Sequence, residues 1–358
     1  MIIHYRFSPV ELNHICFTGL IIINSNPSNF LLEIMLYPLK FKPIFKERIW
    51  GGKRLKTLFN KDFSPLSNCG ESWELSGVKE NISVVENGFL AGNSLNELIE
   101  VYMGDLVGEK VFQMYGTEFP LLIKLLDTDS YLSIQVHPDD NFAGKHHNSL
   151  GKTEMWVVLN AEKDAEIITG FNRDVDRETY LEYLNSKRLK EILNVEKAQK
   201  GNVFYIPAGR IHAIGAGITL LEIQQTSDLT YRVYDWDRKD DKGNSRELHT
   251  DKALEVLDFK KYDTYKTQYK AEKNQFSELV KSPYFTTRIM EFDREREIDY
   301  NFLDSFVIYS CIEGSCKINY ASGAEVIQAG NVVLIPSDLK NITLTPTGNC
   351  TIVESYTT

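Results

Sequence analysis

A short pattern that occurs twice, about 130 residues apart, constrains the fold of this chain more than any other feature. Residues 201–215 read GNVFYIPAGRIHAIG, and residues 330–344 read GNVVLIPSDLKNITL. Glycine, asparagine, valine, isoleucine and proline hold the same positions in both, as in a turn that leads into a strand and a proline-directed bend. Two β domains of similar construction are therefore expected, although such a turn can also recur by chance. The first copy has His212 where the second has Asn341.

Short runs of β-branched and aromatic residues, broken by glycine, proline and asparagine, occur along most of the chain. Examples are YLSIQVH, TEMWVVL and NVFYIP in the first half, and SFVIYSCIEG and CTIVES in the second. This pattern is typical of a sandwich or barrel rather than of alternating strands and helices. We therefore expect a mostly β fold with two jelly-roll β-barrel or sandwich domains.

Two segments interrupt the strands with apolar residues at helical spacing, and we expect them to be helical insertions. The first, SLNELIEVYMG, begins with Ser94 as a good N-cap and has Glu97 at the capping-box position. The second, DRETYLEYLNSKRLKEIL, carries apolar residues from Tyr180 to Leu193 on one helical face.

The expected domain limits follow from the two copies of the repeat. Residues 35–281 are predicted to form the first domain with its helical insertions, and residues 282–358 the second. Residues 1–34 differ from the rest and contain ICFTGLIII, a run too short to span a bilayer and without the flanks of a signal peptide. We expect Met35 to be the natural start and residues 1–34 to be a loosely ordered leader outside the fold.

The composition of the chain limits which binding partners and which cellular compartment are expected. A net charge of −10 and a pI near 5.3 argue against a nucleic-acid partner, because phosphate backbones need a basic face. No membrane partner is expected, and the chain is predicted to be a monomer or a weak homo-oligomer. The cysteines are odd in number and lack C-x-x-C spacing, which favours reduced thiols in the cytoplasm. They are Cys16, Cys69, Cys311, Cys316 and Cys350.

Three segments of the first half carry candidate metal ligands. In YLSIQVHPDD, strand alternation puts Ser133, Gln135 and His137 on one face. GKTEMWVVL adds Glu154, and the first repeat adds His212. Two imidazoles and a carboxylate favour zinc, iron, manganese or cobalt over calcium, and the amide oxygen of Gln135 is a weaker fourth candidate. A half-buried strand with a solvated polar face is the alternative.

Other histidines are weaker candidates. His146 and His147 are rival ligands, but they lie in a charged polar segment that we expect to be a loop in solvent. His4, His14 and His249 have no supporting pattern.

A second polar set lies in ITLLEIQQTSDLTYRVYDWDR. Glu222, Gln224, Asp228 and Arg232 occupy even positions and share a face if the strand continues. A carboxylate within LLEIQQ is costly unless it is paired or functional, and a buried ion pair with Arg232 is the alternative. Arg232 itself is either functional or a surface cation stacked on tyrosines.

These motifs together resemble a known family. The histidine and carboxylate pattern resembles the two cupin motifs, and four longer strings resemble type I phosphomannose isomerases of the short bacterial form. The strings are FPLLIKLLD, LSIQVHPDD, GKTEMWVVL and IPAGRIHAIGAGITLLEIQQTSDLTYRVYDWDR. The resemblance runs from about residue 35 to the C-terminus and is strongest over residues 119–238.

The resemblance implies a zinc enzyme, with one Zn²⁺ per chain, that interconverts mannose 6-phosphate and fructose 6-phosphate. It implies Gln135, His137, Glu154 and His212 as zinc ligands and Arg232 as a catalytic residue. Further active-site positions are implied at Ser133, Lys152 and Glu222, more weakly at Lys124 and Glu71, and Asp228 belongs to the same motif as Arg232. Where the long eukaryotic form has a tyrosine this chain has Ile214, so sugar contacts of that tyrosine do not transfer.

The chemistry agrees with these residues. Aldose–ketose isomerisation moves a proton between adjacent carbons through an enediol, so a Lewis acid and a guanidinium can stabilise the charge that develops on oxygen. Glu222 and Lys152 are both candidates for the proton-transfer group, and lysines and serine hydroxyls suit a phosphate. The alternatives are another metal-dependent cupin enzyme acting on sugar phosphates, and a non-catalytic sugar-binding cupin.

Overall fold

The computed structural model describes residues 35–239 and 242–357, and the leader expected at residues 1–34 lies outside these ranges. Within them the chain forms four β-sheets and a few short helices, so the prediction of a mostly β fold is confirmed. The sheets combine in pairs to make two barrels. No helix in the described ranges is long and apolar enough to cross a bilayer.

The first barrel carries the first copy of the repeat. Its larger sheet has seven strands, side by side in the order β13 (Lys266–Thr267), β9 (Val203–Ile206), β6 (Glu154–Ala161), β11 (Ile218–Gln225), β4 (Leu121–Thr128), β3 (Glu71–Leu75) and β2 (Ile44–Lys46). Its smaller sheet has five, in the order β12 (Tyr231–Tyr234), β5 (Ile134–Val136), β10 (His212–Ile214), β7 (Glu166–Phe171) and β8 (Leu193–Lys197).

The second barrel carries the second copy. Its larger sheet has six strands, in the order β1 (Leu39–Lys40), β20 (Val332–Ile335), β17 (Val307–Glu313), β22 (Cys350–Tyr356), β15 (Thr286–Phe292) and β14 (Ser277–Lys281). Its smaller sheet has four, in the order β16 (Arg296–Asp299), β21 (Asn341–Pro346), β18 (Ser315–Tyr320) and β19 (Gly323–Gln328). The boundary expected between residues 281 and 282 falls directly after β14, which pairs with β15 in the larger sheet of this second barrel.

The two larger sheets pack face to face, and this contact forms the largest core cluster. Met155 and Leu221 from the first barrel meet Ile308 and Val353 from the second in that cluster. The opposite face of each larger sheet points into its own barrel, because side chains alternate along a strand. The inward face of the first barrel is apolar at one end, around Trp156, and polar at the other.

The helices pack in the core cluster between the barrels and against the outer side of the smaller sheet of the first barrel. They are α1 (Arg54–Phe59), α2 (Leu95–Val107), α3 (Glu109–Tyr115), α4 (Asp140–His147), α5 (Arg177–Asn185) and α6 (Thr250–Val256). The capping box predicted at Ser94 and Glu97 is present at the start of α2. The second predicted helix is interrupted after α5, because Lys187 takes a φ of 60° before a 3-10 turn at Leu189–Ile192.

The repeat predicted from the sequence is present in the backbone up to its proline. Gly201 and Gly330 have φ angles of 86° and 88°, a region that favours glycine. The side chains of Asn202 and Asn331 each accept a hydrogen bond, at 3.1 Å, from the backbone N–H three residues earlier. Two matching turns therefore start β9 and β20.

The two copies diverge after the proline. Gly209 has a φ of 86° and donates its N–H to the carbonyl of His137, whereas Asp338 does not take a positive φ. His212 then points into the first barrel and is fully buried, but Asn341 is exposed and the next residue, Ile342, is in the core. Asn341 is therefore not a simple inward-facing replacement of His212, because a shift of one residue turns a strand's side chains to the other face.

Candidate metal and active site

The short strand β5 places the first candidate ligand. Ile134 and Val136 pack in an apolar cluster on the outer side of the smaller sheet. Gln135 lies opposite both His212 in β10 and Arg232 in β12. Side chains of directly paired residues point to the same face, so these three face the barrel interior together. His137 follows at the end of the strand and is 1% exposed.

Three donors from three strands converge at the polar end of the barrel. The ligand atoms of His137, Glu154 and His212 all lie within 4.8 Å of one another. The two Nε2 atoms are 3.6 Å and 3.4 Å from different carboxylate oxygens of Glu154. All three side chains are buried. This is the one such cluster of three or more candidate ligands found in the described part of the chain.

Backbone carbonyls orient both imidazoles. Nδ1 of His137 lies 2.8 Å from the carbonyl oxygen of Leu229, and Nδ1 of His212 lies 2.8 Å from that of Arg210. These contacts assign the N–H to Nδ1, so each Nε2 presents its lone pair toward Glu154. Burial lowers the pKa of His137 well below its usual value and that of His212 to about 3. Neutral imidazoles are the form that binds metal.

The cluster fits a divalent cation. Nε2 of His212 is buried and has no hydrogen-bond partner within the described residues. An acceptor left without a donor is costly in an apolar site, and a bound cation would remove that cost. Two imidazoles and a carboxylate are the donor set that zinc and similar ions prefer.

Lys152 adjoins this cluster, as the GKTEMW motif predicts. Its Nζ is 3.0 Å from a carboxylate oxygen of Glu154 and 3.1 Å from Nε2 of His137. Burial opposes its positive charge, but Glu154 and Glu222 outweigh burial and raise its pKa. For Glu154, burial is the largest influence and raises the pKa to about 7, although the nearby charge of Lys152 lowers it.

Glu222 is buried and paired, but its partner is Lys124 rather than the Arg232 considered from the sequence. Its carboxylate accepts from Lys124 Nζ at 2.9 Å and from Trp156 Nε1 at 3.0 Å. Burial would raise its pKa, yet Lys124 and Lys152 lower it overall. A charged carboxylate therefore lies beside the donor cluster.

Arg232 and Asp228 do not continue the strand of Glu222, so the expectation of one shared strand face is wrong. Strand β11 ends at Gln225, and the chain crosses to β12 in the smaller sheet. Arg232 still faces the interior through its pairing with Gln135, and its Nη1 donates to the carbonyl of Glu247 at 2.7 Å. Asp228 is exposed in the crossing segment.

The sequence of this chain is similar to that of known phosphomannose isomerases. Two family models match it: the catalytic domain of type I phosphomannose isomerase over residues 38–155, and the cupin domain of mannose-6-phosphate isomerase over residues 275–357. Mannose-6-phosphate isomerase ManA of Bacillus subtilis is 37% identical over 88% of this chain and 98% of its own length. The chain belongs to the type I phosphomannose isomerase family.

Other family members and structures agree. The mannose-6-phosphate isomerase of Streptococcus mutans is 34% identical over 86% of this chain and 95% of its own length. A crystal structure of the Bacillus subtilis mannose 6-phosphate isomerase matches with a TM-score of 0.80 at 35% identity, over 89% of this chain and 99% of that one. A putative mannosephosphate isomerase from Archaeoglobus fulgidus shares the fold, with a TM-score of 0.73 at 24% identity over 90% and 99%. The chain is thus an enzyme of this isomerase family.

The remaining positions that the phosphomannose isomerase motifs point to lie in the same barrel as the donor cluster. Ser133 is 4% exposed just before β5. Glu71 accepts hydrogen bonds from Arg48 and, at 2.7 Å, from Trp73 Nε1. Burial would raise the pKa of Glu71, but Lys124 and Arg48 hold it at about 2. Their roles in substrate binding stay predictions.

The rival histidines lie outside the cluster. His146 and His147 are at the end of helix α4 rather than in a loop. His146 is exposed and stacks on Phe142, and His147 contacts the hydroxyl of Tyr231 at 2.7 Å. His249 lies beside Arg232, whose backbone N–H points to its Nδ1 at 3.2 Å.

Two residues of the inner wall, Lys46 and Trp73, have no motif of their own in the sequence. Trp73 is two residues after Glu71 in ESWELSG, which places it on the same strand face. Strand alternation could therefore have placed Trp73 on the inner wall with Glu71. The position of Lys46 on the inner wall could not be predicted from the sequence, because it depends on the pairing of β2 with β3 that places Lys46 opposite Glu71.

Proposed function

We propose that this phosphomannose isomerase is a zinc-dependent aldose–ketose isomerase that interconverts mannose 6-phosphate and fructose 6-phosphate. The observation that carries the proposal is the buried cluster of His137, Glu154 and His212 in a chain of this family. We further propose that it works in the cytoplasm as a monomer or weak homo-oligomer. The cysteines in the described ranges are free thiols, which supports a reducing compartment.

One Zn²⁺ per chain would be held by His137, Glu154 and His212, with the amide oxygen of Gln135 as fourth ligand. The observed donors are those of catalytic zinc sites, which keep one position for water or substrate. When bound, the ion supplies Lewis acidity toward a substrate oxygen. The carbonyls of Leu229 and Arg210 contribute by fixing the ligand tautomers.

The side chains around the cluster supply the other parts of the reaction. The charge of Arg232 is fixed at working pH, so it suits stabilisation of a developing enediolate rather than proton abstraction. Glu222 and Lys152 both stay candidates for moving the proton between C1 and C2. Glu222 offers a carboxylate that stays charged when buried, and Lys152 offers an ammonium beside Glu154.

The substrate would be held along the wall that carries Lys124 and Glu71, with Ser133 on the facing sheet. Asp228, which is exposed in the segment between β11 and β12, would bind the substrate from the rim of the barrel. The wall is buried, so its hydrogen bonds to a sugar would be formed away from competing water.

A coupled assay that detects fructose 6-phosphate formed from mannose 6-phosphate tests this proposal. We expect turnover by the purified chain, loss of turnover after chelation, and recovery with one equivalent of zinc. Recovery with iron but not zinc would overturn the zinc assignment and leave the isomerase activity in place. Binding of the sugar phosphate without any turnover would favour a non-catalytic sugar-binding protein.

A further inference from the structure

The cations in and beside the inner wall of the first barrel differ in their partners. Lys152 pairs with Glu154 and Lys124 with Glu222. Arg48 pairs with Glu71. Lys46 differs from these: in residues 35–239 and 242–357 no ion pair is found for it, and its ammonium donates to the neutral amide oxygen of Asn81.

Strand pairing places Lys46 on the same inner face as the proposed active site. Lys46 lies opposite Glu71, and Trp73, two residues on from Glu71, lies opposite Lys124. Lys124 in turn lies opposite Glu222. Because directly paired side chains share a face, this row runs from Lys46 at the outer strand of the sheet toward the metal cluster.

Trp73 joins the two lysines of this row. Both Lys46 Nζ and Lys124 Nζ lie 5.1 Å from the centre of its indole ring. The two ammonium groups are therefore no farther apart than twice that distance. Trp73 is 4% exposed, and its Nε1 is fixed on Glu71, so it forms a rigid support for both cations.

The half-buried ammonium of Lys46 uses one N–H on the neutral amide of Asn81 and has two further donors for a ligand. An oxyanion offers a negative charge and several acceptor oxygens to such a group. Charge-assisted hydrogen bonds to it are about twice as strong as neutral ones. We propose that Lys46, supported by Trp73 and together with Lys124, binds the phosphoryl group of the substrate. This inference rests on the proposed function, since it takes the reacting end of the sugar to lie at the metal cluster.

The proposal is tested by comparing Lys46→Met with the wild-type chain on mannose 6-phosphate and on mannose. Methionine keeps the apolar stem and removes the charge. We expect the KM for mannose 6-phosphate to rise about tenfold or more with little change in kcat, because one charge-assisted contact is lost. Turnover of unphosphorylated mannose should not change, and Lys46→Arg should restore part of the phosphate preference.

Lys42→Met is the matched control, because Lys42 is an exposed lysine four residues earlier on the same segment. It should leave every constant unchanged. Thermal unfolding of each variant confirms that it is folded. An unchanged KM for mannose 6-phosphate in folded Lys46→Met would overturn the proposal, as would a loss of kcat on both sugars.

Inorganic phosphate provides a readout that does not need catalysis. Its dissociation constant, measured by calorimetry, should rise about tenfold in Lys46→Met and stay constant in Lys42→Met. If the wild-type chain fails to isomerise mannose 6-phosphate, the proposed function is wrong, whereas the phosphate measurement still decides the anion site. Equal phosphate binding by the wild type and Lys46→Met would overturn the anion site alone.

Discussion

The two barrels share an inner row of side chains but only one has the metal donors. In the first barrel, strand pairing aligns Trp156, Glu222 and Lys124 across β6, β11 and β4. In the second, it aligns Tyr309, Glu354 and Arg288 across β17, β22 and β15. An aromatic residue, a buried glutamate and a basic residue thus occur in the same order in both barrels.

The barrels differ where the donors lie. Glu154 lies opposite Ile206 in β9, and the residue opposite the matching Ile335 in β20 is Val307. On the facing sheet, His212 is buried in the first barrel, whereas Asn341 is exposed in the second. The second barrel therefore has neither an inward carboxylate nor an inward imidazole at these positions. The row of aromatic residue, glutamate and basic residue is therefore common to both barrels, whereas the metal donors are present only in the first.

Replacing the central donor should have the largest effect. Glu154→Gln keeps the shape of the side chain that contacts both histidines but removes its charge. We expect isomerisation to be abolished in the coupled assay, because neutral amides hold zinc poorly. Glu162→Gln, at an exposed position just after the same strand, should stay within about twofold of wild type. Normal turnover by Glu154→Gln would remove the main distinction between the barrels.

Arg232→Ala should have the next largest effect. Removing one donor that stabilises a transition-state oxyanion costs on the order of 3 kcal/mol, or about a hundredfold in kcat. Zinc content should stay near one per chain, and lysine at this position should rescue only part of the rate because it lacks the planar fork. A rise in KM alone, with kcat intact, would make Arg232 a phosphate-binding residue instead.

The glutamate of the second barrel should affect stability rather than catalysis. Glu354 is fully buried and accepts hydrogen bonds from Arg288, at 2.6 Å from its Nε, and from Tyr300. Glu354→Gln should lower the free energy of unfolding by about 2 kcal/mol, since a buried charged hydrogen bond is lost, and leave kcat unchanged. Urea unfolding and the coupled assay measure the two quantities. A loss of kcat in the folded variant would mean that the second barrel takes part in the reaction.

Asn341→Ala should have the smallest effect. Its side chain is exposed, and surface substitutions of this kind change stability by less than about 0.5 kcal/mol. Turnover and zinc content should equal those of wild type. Loss of either one would show that the second copy of the repeat reaches the active site.

Much of the fold and the donor cluster could be predicted because both depend on local patterns. Strand alternation and the turns at Gly201 and Gly330 were readable in the sequence and are present in the structure. His137, Glu154 and His212 were predicted together from short motifs, and the structure brings them together.

The features that could not be predicted depend on pairing between distant segments. The N-terminal strand β1 joins the sheet of the second barrel, and no local pattern near Leu39 indicates that partner. The outward turn of Asn341 follows a bend in which Asp338, unlike Gly209 in the first copy, does not take a positive φ. The Lys124 partner of Glu222 lies 98 residues away, whereas the sequence offered only the nearby Arg232.

Zinc content measured by plasma mass spectrometry on wild type, His212→Ala and Asn341→Ala tests the difference between the two barrels most directly. We predict one zinc per chain in wild type and in Asn341→Ala, and little zinc in His212→Ala, because two remaining strong ligands hold the ion poorly. His146→Ala and His147→Ala should keep one zinc per chain, since both residues lie outside the donor cluster. Full zinc occupancy in folded His212→Ala, or two zinc ions per chain in wild type, would contradict the assignment of a single metal site to the first barrel.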